Sequence, residues 1–343
     1  MAVTPILATL PEQRHPGLAF LAAAWSWLFL LLLLVFFEAW ARAAYGISFL
    51  LNGFNLQSIA LFAAMPLLLG LGQTFVIIAG GIDLSVGFVM GLAAVVMARV
   101  MQALTPVSPA LALALGLLAA LLVALIPGLI NGTMIARLRV PAFIGTLGMY
   151  GVARGTGFLA ANGTTVPVNN ELLFVLGNGR LAGIPIPVVV TVVLVLAMHW
   201  VLSQTRFGQH TYALGGNRTA AIRAGINIRR HTLALYLISA GCAGVAGMIY
   251  TARFSAGAAQ GGEPLLLDSI AAVVIGGASL FGGSGTVIGT VIGALIIAVI
   301  QYGLVFINVE PFWQFVAVGI VIIVSVLIDQ SRGRLTGEVR DAD

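Results

Sequence analysis

The sequence predicts an all-α protein that crosses a membrane many times, and three observations predict it. Of its 343 residues, 60% are apolar and 8% are charged, whereas soluble chains carry about 25% charged residues to cover their surface. The mean hydropathy is +1.09 over the whole chain. The apolar residues come in continuous runs of membrane-spanning length rather than in period-two alternation, which disfavours a transmembrane barrel. The same composition excludes a disordered chain, and the single cysteine, Cys242, excludes a disulfide scaffold.

A helix needs roughly 20 apolar residues to cross about 30 Å of hydrocarbon. Candidate spans lie at 18–37, 58–79, 84–101, 110–130, 143–160, 188–202, 233–250, 269–281, 287–306 and 312–328, ten in all. Each is bounded by Gly, Pro, Arg or an acid. The first run ends near Ala41-Arg42-Ala43, faintly like a cleavage site. Its apolar stretch exceeds a signal core and its polar leader holds one arginine, so it reads as a retained anchor. The expected organisation is a leader at 1–17, a ten-helix domain at 18–329 and a tail at 330–343.

Arginine placement sets the orientation. All 16 basic residues are arginines, and they sit in short loops rather than on a nucleic-acid-binding stripe. With the N-terminus in the cytoplasm, the inner side receives Arg14, Arg137, Arg139, Arg206, Arg218, Arg223, Arg229, Arg230, Arg332, Arg334 and Arg340. The outer side receives Arg42, Arg99, Arg154, Arg180 and Arg253. Eleven against five places both termini in the cytoplasm.

The eighth run is too short for a full crossing and is interrupted by Gly276-Gly277 and Gly282-Gly283. It is expected to be a half-span or re-entrant segment shielded by protein. Gly80-Gly81-Ile82-Asp83 with 92–96 resembles Gly261-Gly262-Glu263-Pro264 with 270–274. An offset of five helices turns the second copy upside down, an inverted repeat of spans 2–5 and 7–10.

Polar segments carry the candidate sites. The inner loop 203–231 contains Gly215-Gly216-Asn217-Arg218-Thr219-Ala220-Ala221-Ile222-Arg223-Ala224-Gly225-Ile226-Asn227. Asn217 suits a helix N-cap, and Gly225 suits a left-handed stop about two turns later. Such a helix presents Ala220, Ala221 and Ala224 as a small-residue surface for another protein's cleft; the bland reading is a solvated loop. At Gly80-Gly81-Ile82-Asp83-Leu84-Ser85-Val86-Gly87 the glycines end span two, while Asp83 or Ser85 caps span three. The sharper reading is that the broken helix offers backbone groups to a polar solute. No phosphate-loop lysine is present.

Asp268 with Ser269 is expected to cap span eight. Neither Asp83 nor Asp268 lies in the middle of an apolar run, which counts against an ion-coupled carrier. Gly148, Gly151, Gly155 and Gly157 in span five, and Gly285, Gly289 and Gly293 at span nine, read as faces for close helix packing. His15, His199, His210 and His231 have no metal-ligand spacing, and no Ser-His-Asp, paired-carboxylate or HExxH arrangement supports an enzyme.

Gly80-Gly-Ile-Asp-Leu-Ser-Val-Gly87, Asn131-Gly132 running to Arg137, Val140-Pro141-Ala142-Phe143-Ile144 and Thr146-Leu147-Gly148 resemble the permease subunits of ribose/xylose-type ABC sugar importers. So do Gly215-Gly-Asn217 with Ala220-Ala221 and Gly225-Ile-Asn227, and Asp268-Ser-Ile-Ala-Ala-Val-Val-Ile-Gly-Gly277 with Gly282-Gly283 and Gly289-Thr290. The resemblance runs in order from about Leu56 to Asp329. Relatives often carry a second proline where Ala142 stands, and Asn-Gly where this chain has Gln301-Tyr302-Gly303.

The resemblance implies a ten-helix subunit of the bacterial inner membrane, paired with a second copy or a paralogue. Cytoplasmic ATPases would bind ATP and Mg, and a periplasmic sugar-binding protein would deliver the solute. The 217–225 turn, with Gly215, Gly216, Arg218, Arg223 and Asn227, would be the coupling helix gripped by an ATPase. Gln73, Asn131, Tyr150 and Gln301 join Gly80, Gly81, Asp83, Ser85 and Asp268 as candidates for the solute path. The chain itself carries no nucleotide or metal site in this reading. The expected solute is a pentose, hexose or cyclitol. A nucleoside or branched-chain amino acid importer, an ion-coupled carrier and a non-transporting scaffold remain the alternatives.

Overall fold

The computed structural model describes residues 16–310 and 312–335. The expected leader at 1–17 therefore lies almost entirely outside the described residues, as does much of the tail. In chain order the elements are α1 (Pro16–Tyr45), α2 (Gly53–Ile78), α3 (Val86–Leu104), α4 (Pro109–Ala136), α5 (Ala142–Ala161), β1 (Val166–Pro167) and α6 (Glu171–Asn178). There follow β2 (Arg180–Leu181), β3 (Ile184–Pro185), α7 (Ile186–Gln204), α8 (Arg206–Gly216), α9 (Arg218–Arg223) and α10 (Ile228–Phe254). The last are β4 (Ala256–Gly257), α11 (Glu263–Ile275), α12 (Val287–Phe306) and α13 (Phe312–Leu335).

Side-chain caps set several boundaries. Asn52, Ser108 and Thr286 accept backbone N–H bonds in the first turns of α2, α4 and α12, satisfying donors that an isolated helix start leaves open. Among the described residues, seven helices are long and apolar enough to span a membrane: α1 from Trp25, α2, α3, α4, α7, α10 and α12. The protein is thus a polytopic all-α membrane protein. The other three expected spans fall on α5, diluted by glycines and Arg154, on the 13-residue α11, and on α13 with its shorter apolar stretch 312–325. The eighth run is displaced from its expected bounds: the helix starts at Glu263 and stops at Ile275.

Apolarity on all sides marks a helix buried in protein or lipid, and packing separates the two cases. The apolar window of α2 is 83% buried and those of α3 and α12 are 72% buried, against 11% for α1 and 17% for α7. The interior is therefore α2, α3, α10 and α12, with α11 packed on α2 and α12. Glycine permits the close crossings. A Cβ on Gly72 of α2 would lie 2.6 Å from the Cα of Ser239 in α10, and one on Gly128 of α4 would lie 2.5 Å from Ala240. The expected packing face at span nine is present, since Gly289 and Gly293 meet the backbone of Gly276 and Ala272.

The packing expected of Gly148, Gly151 and Gly155 is not. These three glycines of α5 face open space, and only Gly157 of that set packs, beside Ala259. α5 lies against α3 and α4 on one side alone, so its other face is uncovered within the subunit.

α1 continues past Ala41-Arg42-Ala43 as one helix, with Phe37 and Ala41 buried against Phe49, Ala298 and Tyr302. The connection after α5 is more ordered than the sequence suggests. β1 pairs with β4 and β2 with β3, and α6 packs on α10, where Gly177 admits the backbone of Ala252.

Candidate functional site

Four of the expected path residues meet in one buried node. The chain breaks after α2 at Gly80, which adopts φ +78°, a conformation that costs glycine little. The break returns Asp83 into the bundle. Gln73 of α2 exchanges two hydrogen bonds with Asp83, its amide donating to the Asp83 carbonyl and its Oε1 accepting from the Asp83 N–H. Asp83 Oδ1 accepts from the N–H and the hydroxyl of Ser85 at 3.0 and 2.6 Å. Its Oδ2 accepts from Ser239 Oγ at 2.9 Å. Asn131 of α4 donates to Ser85 Oγ at 3.0 Å, while its own Oδ1 is buried without a partner.

One expectation changes here. Neither Asp83 nor Ser85 caps α3 with its side chain; Ser85 occupies the cap position but its hydroxyl turns to Asp83. Asp83 is 1% accessible. A buried carboxylate in a membrane protein points to function by default. Here it accepts three bonds from Ser85 and Ser239, and with the Gln73 and Asn131 bonds the node ties α2, α3, α4 and α10 together. Ser239, and Tyr236 with its hydroxyl 3.4 Å from the Ile82 carbonyl, were not legible as site residues. Single hydroxyls in an apolar span carry no signal of what they face.

Asp268 does not cap its helix either. It sits inside α11, whose N-cap position is Gly262, and accepts from Gln301 Nε2 of α12 at 2.9 Å. Tyr150 of α5 lies edge-on to Phe88 and donates to Glu263 Oε1 at 3.4 Å. These pairs are separate from the Asp83 node.

The inner loop is built as the motif predicts. Asn217 Oδ1 accepts the Ala220 N–H at 2.9 Å, α9 follows, and Gly225 takes φ +81°. Asn227 then caps α10 through the Arg230 N–H. One residue turns the other way from expectation. Ala221 is buried, because a one-sided helix lying on a protein must bury one face, so the outward surface is Ala220 and Ala224, while the 57% exposed Ile222 borders a cavity beside the loop.

This loop is locked to the helix breaks. A Cβ on Gly215 would sit 1.8 Å from the Ile78 carbonyl and 2.6 Å from the Gly283 N–H nitrogen. Gly283 donates to Ile78 O at 2.8 Å, and Tyr212 of α8 donates to Gly285 O at 2.7 Å. Burial raises the Tyr212 pKa. The end of α8, the end of α2 and the loop after α11 thus form one backbone joint. Beside it, a cavity of about 550 Å³ separates Arg218 and Ile222 of α9 from Gly80, Gly81 and Tyr236. Its inner wall is the polypeptide that holds Asp83. Among the described residues, no group of three or more His, Cys, Asp or Glu is placed to hold a metal ion.

Residues 55–326 match the family described as branched-chain amino acid transport system / permease component. The chain belongs to this family. Among similar proteins, the ribose import permease protein RbsC of Bacillus subtilis is 40% identical over 82% of this chain and 86% of its own length. The D-allose transport system permease protein AlsC of Escherichia coli is 34% identical over 80% and 83%. The fructose import permease protein FrcC of Rhizobium meliloti is 34% identical over 81% and 78%. No solved structure matches this permease chain. The matched region of the permease takes in the Asp83 node, the α8–α9 loop and the α11 break together.

Proposed function

We propose that this chain is the transmembrane permease subunit of an ATP-driven importer for a monosaccharide or a similar small polyol, in the pentose, hexose or cyclitol range. The observation that carries this reading is the likeness to ribose, allose and fructose import permeases over about four fifths of the chain. The architecture supports it: a capped knob, α9, projects from the bundle and is tied through Gly215 to the two breaks flanking the interior helices. ATP and Mg would act on separate cytoplasmic ATPase subunits, and a periplasmic binding protein would deliver the sugar. The chain itself is then a non-enzymatic component, with both termini and α8–α9 in the cytoplasm.

In this reading ten crossings are completed by α5, α11 and α13 in an inverted repeat of spans 2–5 and 7–10, within a domain at 18–329. The start of α3 packs on the start of α11, where Gly87 and Gly262 each meet the other's carbonyl. The open α5 face at Gly148, Gly151 and Gly155 is where a second copy or paralogue would complete the path. Gly80, Gly81, Gln73, Asp83, Ser85 and Asn131 would hold its wall, with Tyr150, Asp268 and Gln301 further along. Gly215, Gly216, Asn217, Arg218, Ala220, Ala221, Arg223, Gly225 and Asn227 would transmit the ATPase stroke.

Whole-cell uptake of labelled ribose, allose, fructose and myo-inositol, with the gene intact and deleted, tests the substrate class. Deletion should remove about nine tenths or more of the high-affinity uptake of one of them, the scale of a tenfold rate change. Unchanged uptake of all four, with loss of nucleoside or branched-chain amino acid uptake, would overturn it.

A further inference from the structure

A second cavity, of about 320 Å³, opens between the C-terminal end of α4 and the N-terminal end of α10. Arg137 lines one side of it and Arg229 and Arg230 line the other, above a floor at Gly132 and Leu233. All three arginines are exposed. Among the described residues, none of the three side chains has a hydrogen-bond or ion-pair partner, and no carboxylate lines the cavity.

Among the described residues, four of the five arginines assigned to the opposite side, all but Arg180, have a partner. Arg42 is paired with Glu38, Arg99 donates to the Ala160 carbonyl, Arg253 donates to Asn178 and Arg154 lies over the Phe88 ring. The convergence of three guanidiniums, those of Arg137, Arg229 and Arg230, on one concavity makes a local positive charge, to which the N-terminus of the 27-residue α10 adds its partial positive charge.

The surface next to this charge is apolar. Leu122, Ile126, Leu129, Thr133 and Arg137 recur at helical spacing and share one face of α4. The three apolar members are 50–56% exposed, as residues facing acyl chains are. The stripe runs down the helix and ends at the guanidinium of Arg137, so the boundary between hydrocarbon and charge falls at the mouth of the cavity.

We propose that this cavity binds the phosphate of an anionic phospholipid, with the acyl chains lying along the α4 stripe. Arginine forks suit phosphate oxygens, and basic pockets between membrane helices on the cytoplasmic side take anionic headgroups. The stripe selects a lipid over a free phosphate, which has no apolar part to lay against it. The proposal concerns the outside of the bundle and stands whichever solute is carried.

The test is lipid retention by the purified full-length chain in detergent, read by native mass spectrometry with phosphatidylglycerol or phosphatidylcholine added. The intact chain should retain phosphatidylglycerol about tenfold better than phosphatidylcholine. The variant Arg137→Gln/Arg229→Gln/Arg230→Gln should lose that preference at an unchanged melting temperature, while Arg180→Gln keeps it. Equal retention of the two lipids, or an unchanged preference in the triple variant, overturns the proposal. So does full displacement of phosphatidylglycerol by millimolar inorganic phosphate, which would mark a free-anion site. Loss of ATPase capture by the triple variant with lipid retention intact would also overturn it, assigning the cavity to a protein contact.

Discussion

Replacing residues 217–225 with a glycine–serine linker of equal length should reduce ATP-driven uptake to the level of empty vesicles, with the chain still inserted in the membrane. The segment forms a rigid object: Asn217 caps its start, Gly225 ends it in the left-handed region, and Ala221 seats it on the bundle. A flexible linker keeps the connection between α8 and α10 but removes the object, so an ATPase stroke would be absorbed by the chain. The interior helices do not depend on this loop for burial, since α2, α3, α10 and α12 pack on one another. Membrane yield and uptake should therefore separate. Undiminished uptake after the replacement would remove α9 from the coupling route.

The second large effect should come from one methyl group. Gly215→Ala places a Cβ 1.8 Å from the Ile78 carbonyl, and its neighbours are backbone atoms that cannot swing aside as a flexible side chain can. Overpacking of this kind costs about 1–3 kcal/mol or more. Here it also separates α8 from α2 and from Gly283, so the melting temperature and ATP-driven uptake should both fall. Gly319→Ala, inside α13 and away from the joint, is the control. Nothing lies within 4 Å of its added methyl, and alanine favours helix over glycine by about 1 kcal/mol, so stability and uptake should hold or rise slightly. Equal behaviour of the two variants would show that the joint is not close-packed.

Local chemistry was legible in the sequence, and distant pairing was not. The bounds of α12 coincide with the expected ninth span because Thr286 caps its start and the apolar run fills it. The Asn217 cap and Gly225 stop likewise depend on neighbours in the chain. Asp268 misled, since a carboxylate followed by serine has the form of a cap, and only the placement of α12 reveals Gln301 as its partner. Ser239 and Tyr236 lie more than 150 residues from Asp83 and Ile82 in sequence. Glycine spacing in α5 suggested packing, yet the same spacing equally describes an open face, and the neighbouring helices decide between them.

Asp83 leaves one competing account of the energy source, because a buried carboxylate is also how an ion-coupled carrier is built. Reconstitution into vesicles decides between the two. The purified chain alone, with labelled sugar outside and an imposed proton or sodium gradient, should accumulate nothing above its external concentration. Adding the ATPase subunits, the binding protein and ATP should restore concentrative uptake. Accumulation driven by the gradient alone, with no ATP-hydrolysing partner present, would contradict a subunit moved from outside through its α9 knob.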